Sequence, residues 1–265
     1  MLLSEPRPTR WDLHWRMFGA EVRIRPIFWA SCVVLGVVVY RDPDIGGMGM
    51  FWFWIAAVLV TLLAHETAHI LAARLVGTRV RVVLAGLGGQ VYGLDECKRW
   101  QRVVILLAGP LGNLLIFGML WLATSERLPL PVERLGPEWS TFIANAIWVL
   151  MLINAFWGVL NIVPLWPLAC GRAAVEIGEA LFARRGQTLA LLLSLATCVL
   201  LSLTVIGWAR RSLTNRFDPH YPLYLLYFLI QGLYCYFFWL STFRALWGDS
   251  ESLDETTARH DKVRG

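Results

Sequence analysis

The sequence predicts an all-α polytopic membrane protein, with about six transmembrane helices and a small β-hairpin between the second and third. Three observations carry that prediction. Hydrophobic residues make up 57% of the chain, charged residues only 16%, and the mean hydropathy is +0.55, a balance too apolar for an ordinary soluble domain. The apolar residues gather into blocks of about 20, the helical length that crosses a hydrocarbon core of about 30 Å. Between the second and third blocks, TRVRVVLAGLGGQVYGL alternates and then breaks at Gly86, Gly88 and Gly89, as a short hairpin does.

Apolar stretches bounded by Pro, Gly or charge place the spans at 26–40, 51–76, 101–123, 139–163, 187–208 and 221–247, the first being short. A chain of 265 residues then has little length left for an appended soluble domain. The expected organisation is a cytoplasmic N-terminal segment over 1–25, one membrane-embedded domain over 26–247 and a polar, solvated tail over 248–265. The aromatic residues of the last span read as lipid-facing and interfacial packing. Polar and charged residues precede the first block and no small-residue cleavage site follows it, so no cleavable signal peptide is expected.

With the N-terminus inside, 18 of the 24 lysines and arginines fall on the cytoplasmic side, against Arg210, Arg211 and Arg216 in a loop that dissents. The expected location is therefore the cell membrane, in multi-pass form with a cytoplasmic N-terminus and lipid as a partner. The net charge of +5 lies in short segments between spans, where lipid head groups account for it, and no nucleic-acid partner is expected. The five cysteines form no Cys-x-x-Cys pair and no disulfide framework. The glycines match no phosphate-binding loop.

Inside the second block stand His65, Glu66 and His69, about 21 Å from its Phe51 end and about 10 Å from its Val76 end at the helical rise. Ionisable groups at that depth are costly unless they face protein, metal or water, so they mark a functional site. Residues four apart on a helix differ by only about 40° in direction, so both imidazoles project from one face. Two nitrogen ligands thus converge, with Glu66 beside them as a general base for metal-activated water, which is the chemistry of His-Glu-x-x-His. A pair of neutral histidines hydrogen-bonded across helices is the plainer alternative. Glu176 and Glu179, in AAVEIGEALFARR, read as the solvated face of an amphipathic helix. The hairpin offers an edge strand to which an extended peptide could pair, or is an ordinary connection.

Three motifs in order, His65-Glu66-Thr67-Ala68-His69, Ala108-Gly109-Pro110-Leu111-Gly112-Asn113 and Asn161-Ile162-Val163-Pro164-Leu165-Trp166-Pro167-Leu168, resemble the site-2 protease family of intramembrane zinc metalloproteases. RIRPIFW and the Gly-rich hairpin are similar to that family too, so the resemblance runs over about residues 20 to 185. It implies that residues 26–247 form a metalloprotease-like membrane domain. Its cofactor would be zinc, held by His65 and His69, its catalytic base Glu66, and its substrate a transmembrane protein cut in or near the membrane. Asn113 and Asn161 would orient substrate or brace the metal-site helices, with interhelical hydrogen bonding as the alternative. Pro164 is most simply a helix-ending residue.

In that family the third motif continues Leu-Asp-Gly, the Asp being the third zinc ligand, whereas here Leu168 is followed by Ala169 and Cys170. Three readings stay open. Cys170 substitutes as a thiolate ligand, or fills the family's glycine position as a small buried residue. The site holds zinc through two histidines and water, with impaired hydrolysis. Or the chain is a non-proteolytic relative acting as a membrane binding or regulatory protein, its regulatory partner unidentified, or an engineered variant disabled to trap substrate.

Overall fold

Residues 5–42, 47–86, 88–125 and 136–212, with Trp239, Leu240, Thr242 and Phe243, are described in a computed structural model. In chain order the elements are β1 (Leu13–Met17), β2 (Ala20–Ile24), α1 (Pro26–Tyr40), α2 (Met48–Leu75), β3 (Arg81–Ala85), β4 (Gly88–Tyr92), α3 (Arg99–Thr124), α4 (Pro137–Ile162), α5 (Ala169–Phe182) and α6 (Arg184–Ser212). They divide into two compact units, Glu5–Ile162 and Val163–Gly265. Among the described residues, four helices are long and apolar enough to cross a membrane: Met48–Leu75, Arg99–Thr124, Pro137–Ile162 and Arg185–Thr204 within α6. They answer the second to fifth expected spans. Helix α1 has only 15 residues, a rise of about 22 Å, short of a full crossing. The sixth expected span and the polar tail lie outside the described residues, apart from the four named above.

The expected hairpin is present as β3–β4, but it is half of a four-stranded sheet ordered β1-β2-β3-β4. Strands β1 and β2, within the expected N-terminal segment over 1–25, supply the other half. Leu13, Trp15 and Met17 pair with Ile24, Val22 and Ala20 on one face, while His14 and Arg16 pair with Arg23 and Glu21 on the other. This period-two pattern was legible in principle, but it is interrupted by Phe18 and Gly19 and studded with arginine. Those two residues form the turn, with φ of +48° and +79°, the left-handed pair that a two-residue hairpin loop needs. Strand β2 then runs parallel to β3, from Glu21 opposite Arg81 to Ile24 opposite Leu84. Parallel neighbours require a crossover, here made by α1 and α2. Strand β4 is left at the edge of the sheet.

Within the first unit, α2 packs against α3 and α4. The contact is close because glycines face it. A methyl on Gly112 of α3 would lie 3.0 Å from the Ala68 Cβ of α2, and one on Gly158 of α4 would strike Leu114 of α3 at 2.7 Å. Small residues let helix backbones approach where lipid offers no hydrophobic drive, and so bring buried polar side chains within reach of each other. In the second unit α5 packs against α6 over Trp166, Val175, Ala190 and Leu191. The Trp166 amide donates to Ser194 Oγ at 2.7 Å, holding the chain entering α5 onto α6.

Residues 5–12 are strapped across the sheet. Glu5 pairs with Arg23 of β2 at 3.2 Å and with Arg81 of β3 at 2.9 Å, and Arg23 also donates to the Pro6 carbonyl at 2.6 Å. Asp12, buried, accepts from the Thr9 amide at 3.1 Å and the Thr9 hydroxyl, and faces Arg23 Nε at 3.8 Å. Burial pushes the Asp12 carboxyl up, but the Thr9 hydrogen bonds and the charges of Arg23 and Arg25 outweigh it and hold it below its ordinary 3.8. A depressed carboxylate contributes stability above its unfolded-state value and loses that contribution as pH falls through its folded value. Hydrogen exchange across residues 9–17 should therefore stay protected down to about pH 4 and lose protection below it. Asp12→Asn should open the same strap at neutral pH.

Candidate metal centre

Helix α2 carries His65, Glu66 and His69 on the side that meets α3, α4 and β4, and all three are buried. One ligand atom from each lies within 4.8 Å of the other two. The two imidazole Nε2 atoms face each other at 3.1 Å, with ring centroids 4.7 Å apart and planes crossed at 81°. The helical spacing thus produces the convergence expected from the sequence.

What aims the rings comes from α3. His65 donates from Nδ1 to Asn113 Oδ1 at 2.5 Å, and His69 donates from Nδ1 to the Ile105 carbonyl at 2.5 Å. A backbone carbonyl can only accept, so His69 carries its proton on Nδ1 and leaves Nε2 unprotonated. With His65 in the same state, two lone pairs point at one another. Neutral nitrogens so placed repel, whereas a cation between them is bound by both. Two nitrogens at 2.0–2.1 Å from a tetrahedral zinc are about 3.3 Å apart, close to the separation found. His65 and His69 therefore fit two positions of a zinc site.

Space is kept by glycine. A methyl on Gly109 of α3 would collide with the Nε2 atoms of both His65 and His69, and one on Gly89 of β4 would collide with Glu66 Oε1. Two backbone segments thus close directly over the three side chains. Strand β4 places its own backbone beside the carboxylate, which positions the edge of the sheet next to the expected base.

Of the other expected site residues, Asn113 is fully buried and holds His65. Asn161 instead donates to the Trp157 carbonyl of its own helix at 3.0 Å. Pro164 stands two residues past the end of α4, where its missing N–H costs nothing. Ala169 and Cys170 open α5 in the second unit, Ala169 buried and Cys170 half-buried. The Ala169 methyl has no donor atom. Burial pushes the Cys170 thiol up, away from the thiolate that a metal needs. Sequence reasoning missed Gly109 and Gly89 as the walls of the site, and Asn154 of α4, whose Oδ1 accepts from Asn113 Nδ2 at 3.1 Å. The available signal was Asn154 itself, a lone amide in an apolar run, seven residues before Asn161 and on the same helix face.

No protein-family model matches the sequence. The chain is 26% identical over 159 residues to a Mycobacterium tuberculosis protein described as zinc metalloprotease Rip3, covering 55% of this chain and 39% of that one. It is 26% identical over 149 residues to zinc metalloprotease MJ0392 of Methanocaldococcus jannaschii, covering 56% of this chain and 41% of the relative. The chain thus spans about two fifths of the length of the curated relatives it matches. Among solved structures, the site-2 protease from Methanocaldococcus jannaschii superposes with a TM-score of 0.52 at 16% identity, covering 89% of this chain and 95% of that one. The fold and the helices long enough to span describe an integral membrane protein. The chain is thus similar in sequence to two proteins described as zinc metalloproteases, and it has the fold of a site-2 protease around a buried His-Glu-x-x-His helix.

Proposed function

We propose that the protein is a zinc-dependent endopeptidase that hydrolyses a peptide bond in or near a transmembrane segment of a membrane protein. The observation that carries this reading is the pair of Nε2 atoms facing each other 3.1 Å apart with the Glu66 carboxylate beside them. His65 and His69 would hold the ion. Bound zinc supplies Lewis acidity toward the scissile carbonyl and lowers the pKa of water at the site. Glu66, next in sequence to His65 and backed by Gly89, takes the proton from the attacking water and returns it to the leaving amine. The edge of β4 lies on the Glu66 side, so an extended peptide paired to that edge would bring its carbonyl to the base. A helical substrate must unwind locally to pair in this way. A cell-membrane location with the N-terminus in the cytoplasm is supported by the distribution of basic residues.

One feature favours a second reading. Ala169 stands where the family resemblance puts the carboxylate ligand, so the chain is alternatively a relative that engages a membrane partner without cutting it. A lost ligand weakens metal binding at least as much as a lost supporting hydrogen bond, about 10- to 100-fold.

Purified protein should bind close to one zinc per chain, and His65→Ala should abolish it. Under the proteolytic reading, zinc-loaded protein cleaves a reporter membrane substrate and Glu66→Gln lowers turnover at least about 100-fold with zinc retained. Equal turnover by that variant would sink the assignment. Gly109→Ala should fill the space between the imidazoles, and a metal titration should register at least a ~10-fold weaker zinc affinity with the helical circular dichroism unchanged. Ala169→Asp separates the two readings. Under the non-proteolytic one it strengthens zinc binding by at least about 10-fold and creates turnover absent from the parent chain. Under the proteolytic one the parent already cleaves.

A further inference from the structure

The polar side chains behind His65 form a chain that crosses three helices. Asn113 of α3 contacts His65 through Oδ1 and donates from Nδ2 to Asn154 Oδ1 of α4 at 3.1 Å. Asn154 donates from Nδ2 to its own helix's Leu150 carbonyl at 2.8 Å and to Thr61 Oγ1 of α2 at 3.3 Å. Thr61, Asn113 and Asn154 are all buried, Asn113 with no exposed surface at all. Thr61 and His65 sit one helical turn apart, so the chain starts and ends on the same face of α2.

The direction of every bond in this chain follows from its far end. The Leu150 carbonyl can only accept, so Asn154 must turn its NH2 toward it. That leaves Asn154 Oδ1 facing Asn113, which must then offer its NH2. Asn113 Oδ1 is thereby turned to His65, and His65 must carry its proton on Nδ1. Its Nε2 is left as a bare lone pair toward His69. Reversing any amide would set NH2 against NH2 or oxygen against oxygen inside a buried site, an unsatisfied pair that costs more than an ordinary hydrogen bond gains.

We propose that Asn154, together with Thr61, is a positioning residue for the metal centre: acting through Asn113, it fixes the tautomer of His65 so that Nε2 stays open to a metal ion. His69 needs no such relay, because the Ile105 carbonyl sets its tautomer directly. The two ligands are therefore set by different means. His69 is set by backbone, and His65 by three side chains from helices brought together at Gly109, Gly112 and Gly158. The inference deepens the metal-site reading above, and rests on it for the zinc arm of the test alone.

The test uses full-length protein labelled with ¹⁵N-histidine, of which the chain has five. In zinc-free wild type, His65 should be protonated on Nδ1. Asn154→Leu frees the Asn113 amide to rotate, and His65 should then populate the Nε2-protonated form, with zinc affinity about 10- to 100-fold weaker. Adding Asn113→Asp to that variant is the decisive step. A carboxylate presents acceptors on both sides and cannot offer His65 a donor, so the double variant should restore the Nδ1 proton and most of the zinc affinity. A merely structural role for Asn154 predicts no such rescue. An unchanged His65 tautomer in Asn154→Leu, or a double variant that stays as impaired as the single one, would overturn the proposal. A tautomer that switches and is rescued in a protein that binds no zinc would uphold the relay and overturn the metal reading instead. Zinc bound equally by all three proteins with no change of tautomer would do the reverse.

Discussion

Two imidazoles and a carboxylate lie buried on one helix that is long and apolar enough to cross a membrane, and the first unit is organised around them. Each Nδ1 has a partner on α3, and those partners turn both Nε2 lone pairs into the same small space. The geometry needs close helix contacts, and glycines supply them. Gly109 and Gly112 bring α3 to α2, Gly158 brings α4 to α3, and Gly89 brings β4 over Glu66. Any side chain larger than hydrogen at Gly109 would occupy the place where the two imidazole Nε2 atoms meet. Packing and chemistry are here the same constraint.

The sheet serves that arrangement from outside the helices. Its inner strands β2 and β3 run parallel through the α1–α2 crossover, so the strand register and the placement of α2 are fixed together. The Arg25 amide donates to the Leu84 carbonyl at 2.9 Å where β2 passes into α1, tying that register to the helix start. The strap of residues 5–12, clamped by Glu5 on Arg23 and Arg81, covers the polar face of the same two strands. The edge strand beside Glu66 is thus hydrogen-bonded to a strand that this strap clamps.

Much of this was legible in the sequence, and the limits have physical causes. Hydropathy gave the four long helices to within three residues at each end of the first three, because a span is set by its own composition. The four-residue spacing of His65 and His69 gave their convergence, because helical geometry is local. The N-terminal strands were missed because their alternation is short and broken by a turn with an aromatic residue at positive φ. Asn113 could be singled out as a polar residue in an apolar run, but its partner could not, since which amide meets which depends on interhelical packing. Gly109 stands in the second motif, and the structure adds that its backbone packs against the two imidazole Nε2 atoms. Ala169 is legible only as a departure from a family pattern, and the chemistry of its methyl is the reason the third ligand matters.

The most direct measurement is X-ray absorption at the zinc edge of the zinc-loaded protein. Two imidazole nitrogens at about 2.0–2.1 Å are expected, both lost in the His65→Ala, His69→Ala double variant, with the remaining positions filled by oxygen. A sulfur at about 2.3 Å that is lost in Cys170→Ser would identify Cys170 as the missing ligand while leaving the two histidines in their roles. A zinc shell without imidazole, or a protein that retains no zinc, would contradict the central claim that α2 carries a metal centre.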